Sequence, residues 1–242
     1  MKIRLKSVLV LVLLAGLAAC SEKDLREAIE VIHAGIDEVP LSEAEVRAGL
    51  RDALSRGISR GAIAASTKDG FFANPRLKIP FPAEVEKVDT ALRKLGLGKE
   101  VDRFVEQLNR GAEQAAARAK PIFIKAITEM TIRDAFDILN GEVDAATQYL
   151  QRATGKDLYA RFLPVVSDTL DQTKATRYYG DVVERYNRIP GVRKVDPDLD
   201  AYATRKAIDG LFILIADEEA NIRANPRART TQLLRRVFGS LD

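Results

Sequence analysis

The chain has 242 residues, 38 Lys and Arg against 35 Asp and Glu, and a formal net charge of +3. It contains one cysteine and one histidine, which excludes an internal disulfide and any metal site built from several thiolates or imidazoles. A chain of this length can bury a sizeable core within one domain.

The first predicted element is a secretory signal over residues 1–19. Lys2, Arg4 and Lys6 form a basic head, the apolar stretch Ser7–Leu17 follows, and small residues close the segment. A membrane-spanning helix needs about 20 apolar residues. Because charged residues follow too soon for that length, the pattern favours a signal that is removed.

The end of this signal, Leu17-Ala18-Ala19-Cys20, resembles the lipobox of bacterial lipoproteins. The resemblance implies cleavage before Cys20, a diacylglycerol on its thiol and acylation of its new amino group, and several acyl chains anchor a protein stably. The alternative is a cysteine that lies by chance near an ordinary cleavage site. Ser21 rather than Asp follows Cys20, which implies passage to the outer membrane, facing the periplasm.

Loss of the signal changes the charge of the mature chain. Residues 1–19 carry three basic side chains and no acidic one, so 35 side chains of each sign remain. General nucleic-acid binding depends on a surplus of basic side chains. The neutral balance therefore predicts no nucleic-acid partner.

The mature chain divides into a tether, 20–40, and one domain, 41–242. Apolar residues recur at helical spacing between the charged residues of the tether, and Pro40 ends it. The histidine, His33, lies in this tether and outside the predicted domain. That position argues against catalysis by a Ser-His or Cys-His pair.

The domain opens with a predicted helix. Ser42 and Glu45 form a capping-box pattern. The next segment, 71–82, contains three prolines and cannot be a helix. We predict that residues 71–82 form an extended segment that covers the core, and a short hairpin is one form that this segment could take. The apolar stripe predicted for the first helix consists of Val46, Leu50, Leu54, Ile58 and Ile63.

Helical periodicity continues from residue 85 to the C-terminus. Thr131 is the predicted cap of a short helix, and Asn140-Gly141 ends that helix with a residue that tolerates left-handed geometry. Asn225-Pro226 is the predicted cap of the last helix. No strand alternates with these helices, so the predicted class is an all-α, bundle-like single domain. The predicted helices cover 85–95, 101–115, 122–127, 135–139, 145–150, 158–170, 178–186, 199–223 and 233–238.

Two short motifs look like ligand sites but miss their patterns. Gly96–Lys99 lacks the first glycine and the Ser or Thr of a phosphate loop, so a glycine turn is the better interpretation. Asp196–Asp200 has the alternating acids of a calcium loop, but Ala201 and Ala207 stand where Gly and Glu are required. Asp198 is then a helix N-cap. No metal site and no cofactor are predicted.

Three neighbouring carboxylates, Glu129, Asp134 and Asp137, keep a hydrolase open as an alternative. Acid–base hydrolysis needs a pair of carboxyl groups at a fixed separation, one of them desolvated. The other interpretation is that these acids cap helices or lie on a solvated face.

The C-terminal stretch, 221–242, contains five arginines and one acidic residue. Arginine forks bind carboxylates, phosphates and lipid headgroups. The alternative is internal pairing with the acids at 217–219. The five residues are Arg223, Arg227, Arg229, Arg235 and Arg236.

Four segments together resemble a bacterial family known only as domain of unknown function 4197. They are DGFFANPRLKIPFP (69–82), GLGKEVDRFVEQLNRGAEQAAARAKPIF (96–123), DAFDILNGEVDAATQYL (134–150) and GLFILIADEEANIRANPRARTTQLLRRVFG (210–239). The resemblance implies an exported, helical, often lipid-anchored domain without an established activity. Matching positions interpreted as caps, a turn and a polar network are Asn109, Glu113, Asn140, Gly141, Thr147, Arg223, Asn225, Pro226, Arg229 and Thr231.

These patterns favour a non-enzymatic, lipid-anchored envelope protein that binds another envelope protein or component. The predicted contact surfaces are the arginine-rich C-terminal helix and the segment 71–82. A carrier that holds an apolar ligand between helices is an alternative, beside the hydrolase. The candidate binding or network residues are Asn109, Thr147, Arg223, Arg227 and Arg229.

Overall fold

The computed structural model describes residues 41–82, 98–171 and 198–239, with twelve single positions in the two intervening stretches. The predictions for Cys20, His33 and the tether lie outside the described residues. Most of the predicted helices 85–95 and 178–186 also lie outside them.

Seven α-helices and one 3₁₀ turn occur in the described ranges, and no strand does, which confirms the all-α prediction. The described residues from Glu43 onward belong to one compact unit. The helices are α1 (Glu43–Ser66), α2 (Gly98–Ala116), α3 (Ala119–Glu129), α4 (Ile132–Leu139), α5 (Ala145–Asp171), α6 (Leu199–Ala224) and α7 (Gln232–Gly239), with the 3₁₀ turn at Pro226–Ala228.

The core lies around α6 and α2, which pack against each other and against both α1 and α5. α6 packs along α5, α1 and α2, while α1 also packs against α3, α4 and α7. Phe71, Phe123 and Phe162 are among the largest fully buried side chains. Phe123 of α3 meets Phe212 of α6 edge to face, with ring centroids 5.7 Å apart, an arrangement that aromatic pairs favour.

The predicted apolar stripe of α1 is right for Val46 to Ile58 and wrong for Ile63. Val46, Leu50, Leu54 and Ile58 are all buried, whereas Ile63 is 64% exposed. Ile63 follows Ile58 by five positions, which rotates it by roughly 140° around a helix of 3.6 residues per turn. The small residues Ala62 and Ala65 take the buried positions in this last part of α1.

α5 is longer than its pattern predicts, and α3 begins earlier than its pattern predicts. The predicted helices 145–150 and 158–170 are one helix, α5, which continues through Pro164. The buried side chains Phe162 and Val166 flank that proline and keep the helix packed. Pro121 lies in the first turn of α3, where its missing N–H costs nothing.

The predicted cap at Thr131 is confirmed. Its side chain accepts from the Asp134 amide, and the Asp134 carboxylate accepts from the Thr131 amide at 2.9 Å, which completes a capping box. The predicted end of this helix at Asn140-Gly141 is confirmed, since α4 ends at Leu139 and Asn140 is its C-cap, but neither residue adopts a positive φ. Gly141 is required instead by close approach: a Cβ there would lie 2.5 Å from the Asp137 carbonyl oxygen.

The residue predicted to cap the last helix, Asn225, caps the 3₁₀ turn before that helix instead. The Asn225 side chain accepts from the Arg227 amide and caps the 3₁₀ turn. The hydroxyl of Thr231 accepts from the Leu234 amide at 3.2 Å and begins α7. A cap must stand directly before its helix, and Pro226–Ala228 separates Asn225 from α7.

The segment 69–82, called the strap below, is a series of turns and not a hairpin. The amide of Ala73 donates to the Asp69 carbonyl at 3.2 Å, and that of Lys78 donates to the Asn74 carbonyl at 2.8 Å. Its prolines supply no N–H for a strand ladder, so local turns satisfy the backbone instead. Side chains of the strap cover the core as predicted, since Phe71, Leu77 and Ile79 are buried.

Two helix glycines give a matched test of this packing. A Cβ on Gly210 of α6 would lie 2.6 Å from Cε1 of the buried Phe71, whereas a Cβ on Gly155 of α5 meets nothing within 4 Å. We expect Gly210→Ala to lower the free energy of unfolding by about 1–3 kcal/mol through overpacking. Gly155→Ala should raise it by about 0.5–1 kcal/mol through helix propensity. Urea denaturation of both variants checks the prediction, and a stabilised Gly210→Ala contradicts it.

Candidate functional site: a buried network of helix caps

Asn109 of α2 binds the strap through the backbone of Ile79. Its Oδ1 accepts from the Ile79 amide at 2.8 Å, and its Nδ2 donates to the Ile79 carbonyl at 2.9 Å and to the Val105 carbonyl at 2.7 Å. The residue is fully buried. The amide therefore supplies Ile79 with the donor and acceptor that a neighbouring strand would otherwise provide.

Glu113, one turn further along α2, holds the start of the strap. Its Oε1 accepts from the amides of Phe71 and Phe72 at 3.1 and 3.2 Å, and its Oε2 accepts from Arg110 at 2.8 Å. The hydrogen bond from Arg110, which also pairs with Asp69, raises the pKa of that guanidinium. The Arg110 guanidinium therefore stays charged beside the buried Glu113 side chain.

Glu219 of α6 caps the N-terminus of α5. Its two carboxylate oxygens accept from the amides of Ala146 and Thr147 at 3.0 and 2.8 Å, and Oε2 also accepts from the Thr147 hydroxyl at 2.8 Å. The side chain is 6% exposed. A carboxylate is stabilised at this end of a helix, because the amides point outward and the dipole is positive there.

Arg223, one turn later on α6, caps the C-terminus of α4. It pairs with Glu219 at 3.0 Å, and its Nη2 donates to the Ile138 carbonyl at 2.7 Å. Helix C-termini present unpaired carbonyls and a negative dipole, which favour a cation. We call Glu219 and Arg223 the capping hub, because together they join the end of α4 to the start of α5.

Two further arginines cap helix C-termini in the same way. Arg229 is buried and donates to the carbonyls of Ile222 and Arg223, at 3.2 and 2.8 Å, at the end of α6. Arg51 of α1 donates to the Met130 carbonyl at 2.9 Å, directly after α3. Together with the hub, these contacts place each charge at the helix end that its sign favours.

The predicted candidate residues therefore fall into three places. Asn109 belongs to the support of the strap, whereas Thr147, Arg223 and Arg229 lie in or beside the capping hub. Arg227 is exposed and belongs to neither group. The alternative of internal pairing is right for Arg223, which pairs with Glu219, and Arg236 pairs with Glu45 at 2.7 Å.

Two members of the network, Glu219 and Arg51, were not among the predicted site residues. Glu219 precedes Arg223 by four positions, which is the spacing of a helix ion pair, and this was the available signal. Arg51 has no such signal in the sequence, because its partners lie 79 residues away at Met130.

An apolar cavity beside the capping hub is too small for a carried ligand. It is lined by Leu50, Leu54, Ile222 and Phe238 among others, and its volume is about 20 Å³. That is space for one water molecule, whereas pockets for drug-sized ligands hold about 300–1,000 Å³. This cavity does not favour the apolar carrier.

Asp134 and Asp137 line a surface cleft of about 230 Å³ beside Tyr149 and Gly141. Partial burial raises the pKa of the Tyr149 phenol, and the charges of Asp134 and Glu129 raise it further. Asp134 already accepts from the Thr131 amide and hydroxyl, and Asp137 and Glu129 are exposed. The capping interpretation therefore holds for Asp134, and the cleft offers no desolvated carboxylate pair.

The calcium-loop motif is represented in the described residues by its second half. Asp198 caps α6 and accepts from the Ala201 amide at 2.8 Å, as predicted, and Asp200 accepts from the hydroxyl of Ser167. Gly96 has a φ of 84° and lies in the predicted glycine turn. Within the described part of the chain, no group of three or more His, Cys, Asp or Glu side chains is placed to hold a metal ion.

The comparisons with known proteins agree with the segments quoted above. None of the described helices is long and apolar enough to cross a membrane. Searches of curated proteins and of solved structures found no match. A family model described as "Protein of unknown function (DUF4197)" matches residues 40–239, and the chain therefore belongs to that family.

Proposed function

We propose that this protein is a lipid-anchored envelope protein whose helical domain faces the periplasm and binds another envelope protein without catalysing a reaction. The anchor is Cys20, exposed by removal of residues 1–19. The basic head, the apolar stretch and the lipobox pattern that ends in the sole cysteine support this part of the proposal.

The main support for a binding role is that the buried charged side chains bind the domain's own backbone. Glu113, Glu219 and Arg229 are buried, and each is bonded to backbone groups of the domain itself. Side chains committed in this way are not available to a substrate. This supports a protein that acts through its surface.

Two exposed arginines of the C-terminal segment are the best candidates for that surface. The side chains of Arg227 and Arg235 form no hydrogen bond or ion pair with any residue that the structure describes. Arginine forks suit carboxylates, so the partner we propose presents an acidic segment. Arg229 is excluded from the contact surface because it caps α6.

The contact surface is tested by crosslinking and affinity capture from cells. Arg227→Glu combined with Arg235→Glu should abolish capture of the partner, because the charge on the contact surface is reversed. Lys156→Glu combined with Arg161→Glu makes the same charge change at exposed positions of α5 and should leave capture intact. Equal capture by wild type and both double variants contradicts the proposed surface.

The anchor is tested separately by membrane fractionation. Cys20→Ala removes the thiol that the lipid would modify, and we expect the protein to leave the membrane fraction. Ser21→Asp keeps that thiol and should leave the protein lipid-modified but held at the inner membrane. Sedimentation of Cys20→Ala with membranes, in the same proportion as wild type, overturns the lipid anchor.

A further inference from the structure

The C-terminal helix α7 covers the capping hub. Phe238 of α7 lines the same small cavity as Glu219 and Arg223, and the Arg223 guanidinium lies 6.0 Å from the centre of the Phe238 ring. Beside the charged residues of α6, the cavity is lined mainly by apolar residues of α1, together with Ile138 of α4 and Ala146 of α5. The Phe238 ring is itself buried and lies against the Arg223 guanidinium, so removal of the ring would admit water to the ion pair.

Water at the hub would weaken the caps that it makes. The attraction between Glu219 and Arg223 falls as the local dielectric constant rises. Water also hydrogen-bonds the two charged groups and so competes with the helix ends that they cap. The affected groups are the amides of Ala146 and Thr147 and the carbonyl of Ile138, which the hub binds at 3.0, 2.8 and 2.7 Å. They form the junction at which α4 ends and α5 begins.

Both apolar and polar contacts hold α7 against the domain, and its side chains Leu234, Val237 and Phe238 are buried. It has eight residues, and it packs mainly on α1. Its polar contacts to α1 are Thr231 to Asp52 at 3.1 Å and Arg236 to Glu45 at 2.7 Å, with the Glu45 side chain 38% exposed. Partly exposed ion pairs contribute little to stability, so the buried apolar side chains, Phe238 among them, supply most of what holds α7 in place.

We infer that docking of α7 and closure of the α4–α5 junction are coupled through Phe238, Arg223 and Glu219. Displacement of α7 opens the junction, and opening of the junction loosens α7, because a coupling free energy acts equally in both directions. The C-terminal helix α7 thus controls the α4–α5 junction through the capping hub. The inference does not depend on the identity of a partner.

Amide hydrogen exchange of the full chain, read residue by residue, tests the coupling. In Phe238→Ala we expect the amides of Ala146 and Thr147 to exchange about tenfold faster, within the usual range for coupled sites. The amides of Phe71 and Phe72, which Glu113 holds, should keep their wild-type rates and report on the rest of the fold. Arg235→Ala, an exposed change on the same helix, should leave all four amides unchanged.

Two further variants keep the test valid if Phe238→Ala does not fold. Arg236→Ala removes the ion pair to Glu45 and should give the same pattern with a smaller change. Glu219→Gln loosens the junction directly and should accelerate exchange at Leu234 and Val237 in α7. Faster exchange in α7 with unchanged Ala146 and Thr147, or equal acceleration at Phe71 and Phe72, overturns the coupling.

Discussion

Replacement of Glu219 by alanine is expected to lower the free energy of unfolding by about 3–5 kcal/mol, the range for removal of one partner of a buried ion pair. The loss has two sources. The amides of Ala146 and Thr147 lose their acceptor, and the guanidinium of Arg223, which is only 14% exposed, loses its carboxylate. Urea denaturation followed by circular dichroism measures the change.

The neighbouring residue supplies a matched control. Glu218 pairs with Arg60 at 3.1 Å, but those side chains are 24% and 46% exposed. Exposed pairs of this kind contribute about 0–1 kcal/mol, so Glu218→Ala should change stability by no more than that. Equal losses for Glu218→Ala and Glu219→Ala would mean that the hub has no special role.

The second large effect is expected at Asn109. Its replacement by alanine leaves the amide and the carbonyl of Ile79 buried without partners, and each unsatisfied group costs about 1–3 kcal/mol. We expect a loss of about 2–4 kcal/mol and faster proteolysis within the strap. Equilibrium unfolding and limited proteolysis with identified cleavage sites check both parts.

Asn221 is the matched control for Asn109. It also lies within a helix, α6, but its side chain is exposed. Asn221→Ala should therefore alter stability by only about 0.5 kcal/mol. If Asn109→Ala destabilises the domain but leaves strap proteolysis unchanged, the assignment of Asn109 as the support of the strap is wrong.

Local signals in the sequence predict local structure well in this chain. Thr131 and Asp134 are three residues apart, and their capping box forms as expected. The beginning of α6 at Asp198 follows from the same kind of signal. Both depend only on neighbours along the chain, so no knowledge of tertiary structure is needed.

Contacts between distant segments were not predictable from these signals. Glu219 caps α5 by accepting from the amide of Ala146, which lies 73 residues earlier in the chain. No spacing rule connects such distant positions. Arg227 and Arg229 illustrate the same limit. They are two residues apart and chemically identical, yet Arg229 is buried at a helix end and Arg227 is exposed.

The glycines show why the reason for a residue is harder to predict than its presence. Gly141 was predicted to end a helix because glycine tolerates left-handed geometry, but it is needed because a side chain would collide with the Asp137 carbonyl. Asp69, which no pattern singled out for this role, has a φ of 71°. Backbone geometry at such positions depends on how the flanking helices pack, which the local sequence does not specify.

The central claim is that the buried polar network closes on the domain's own backbone and needs no ligand. Hydrogen exchange of the purified wild-type protein, free of any ligand, tests it most directly at the amides of Phe71, Ile79, Ala146 and Thr147. We predict that these four amides exchange far more slowly than solvent-exposed amides, because Glu113, Asn109 and Glu219 bind them. Exchange as fast as that of solvent-exposed amides would show that these side chains face an open site, and would contradict the claim.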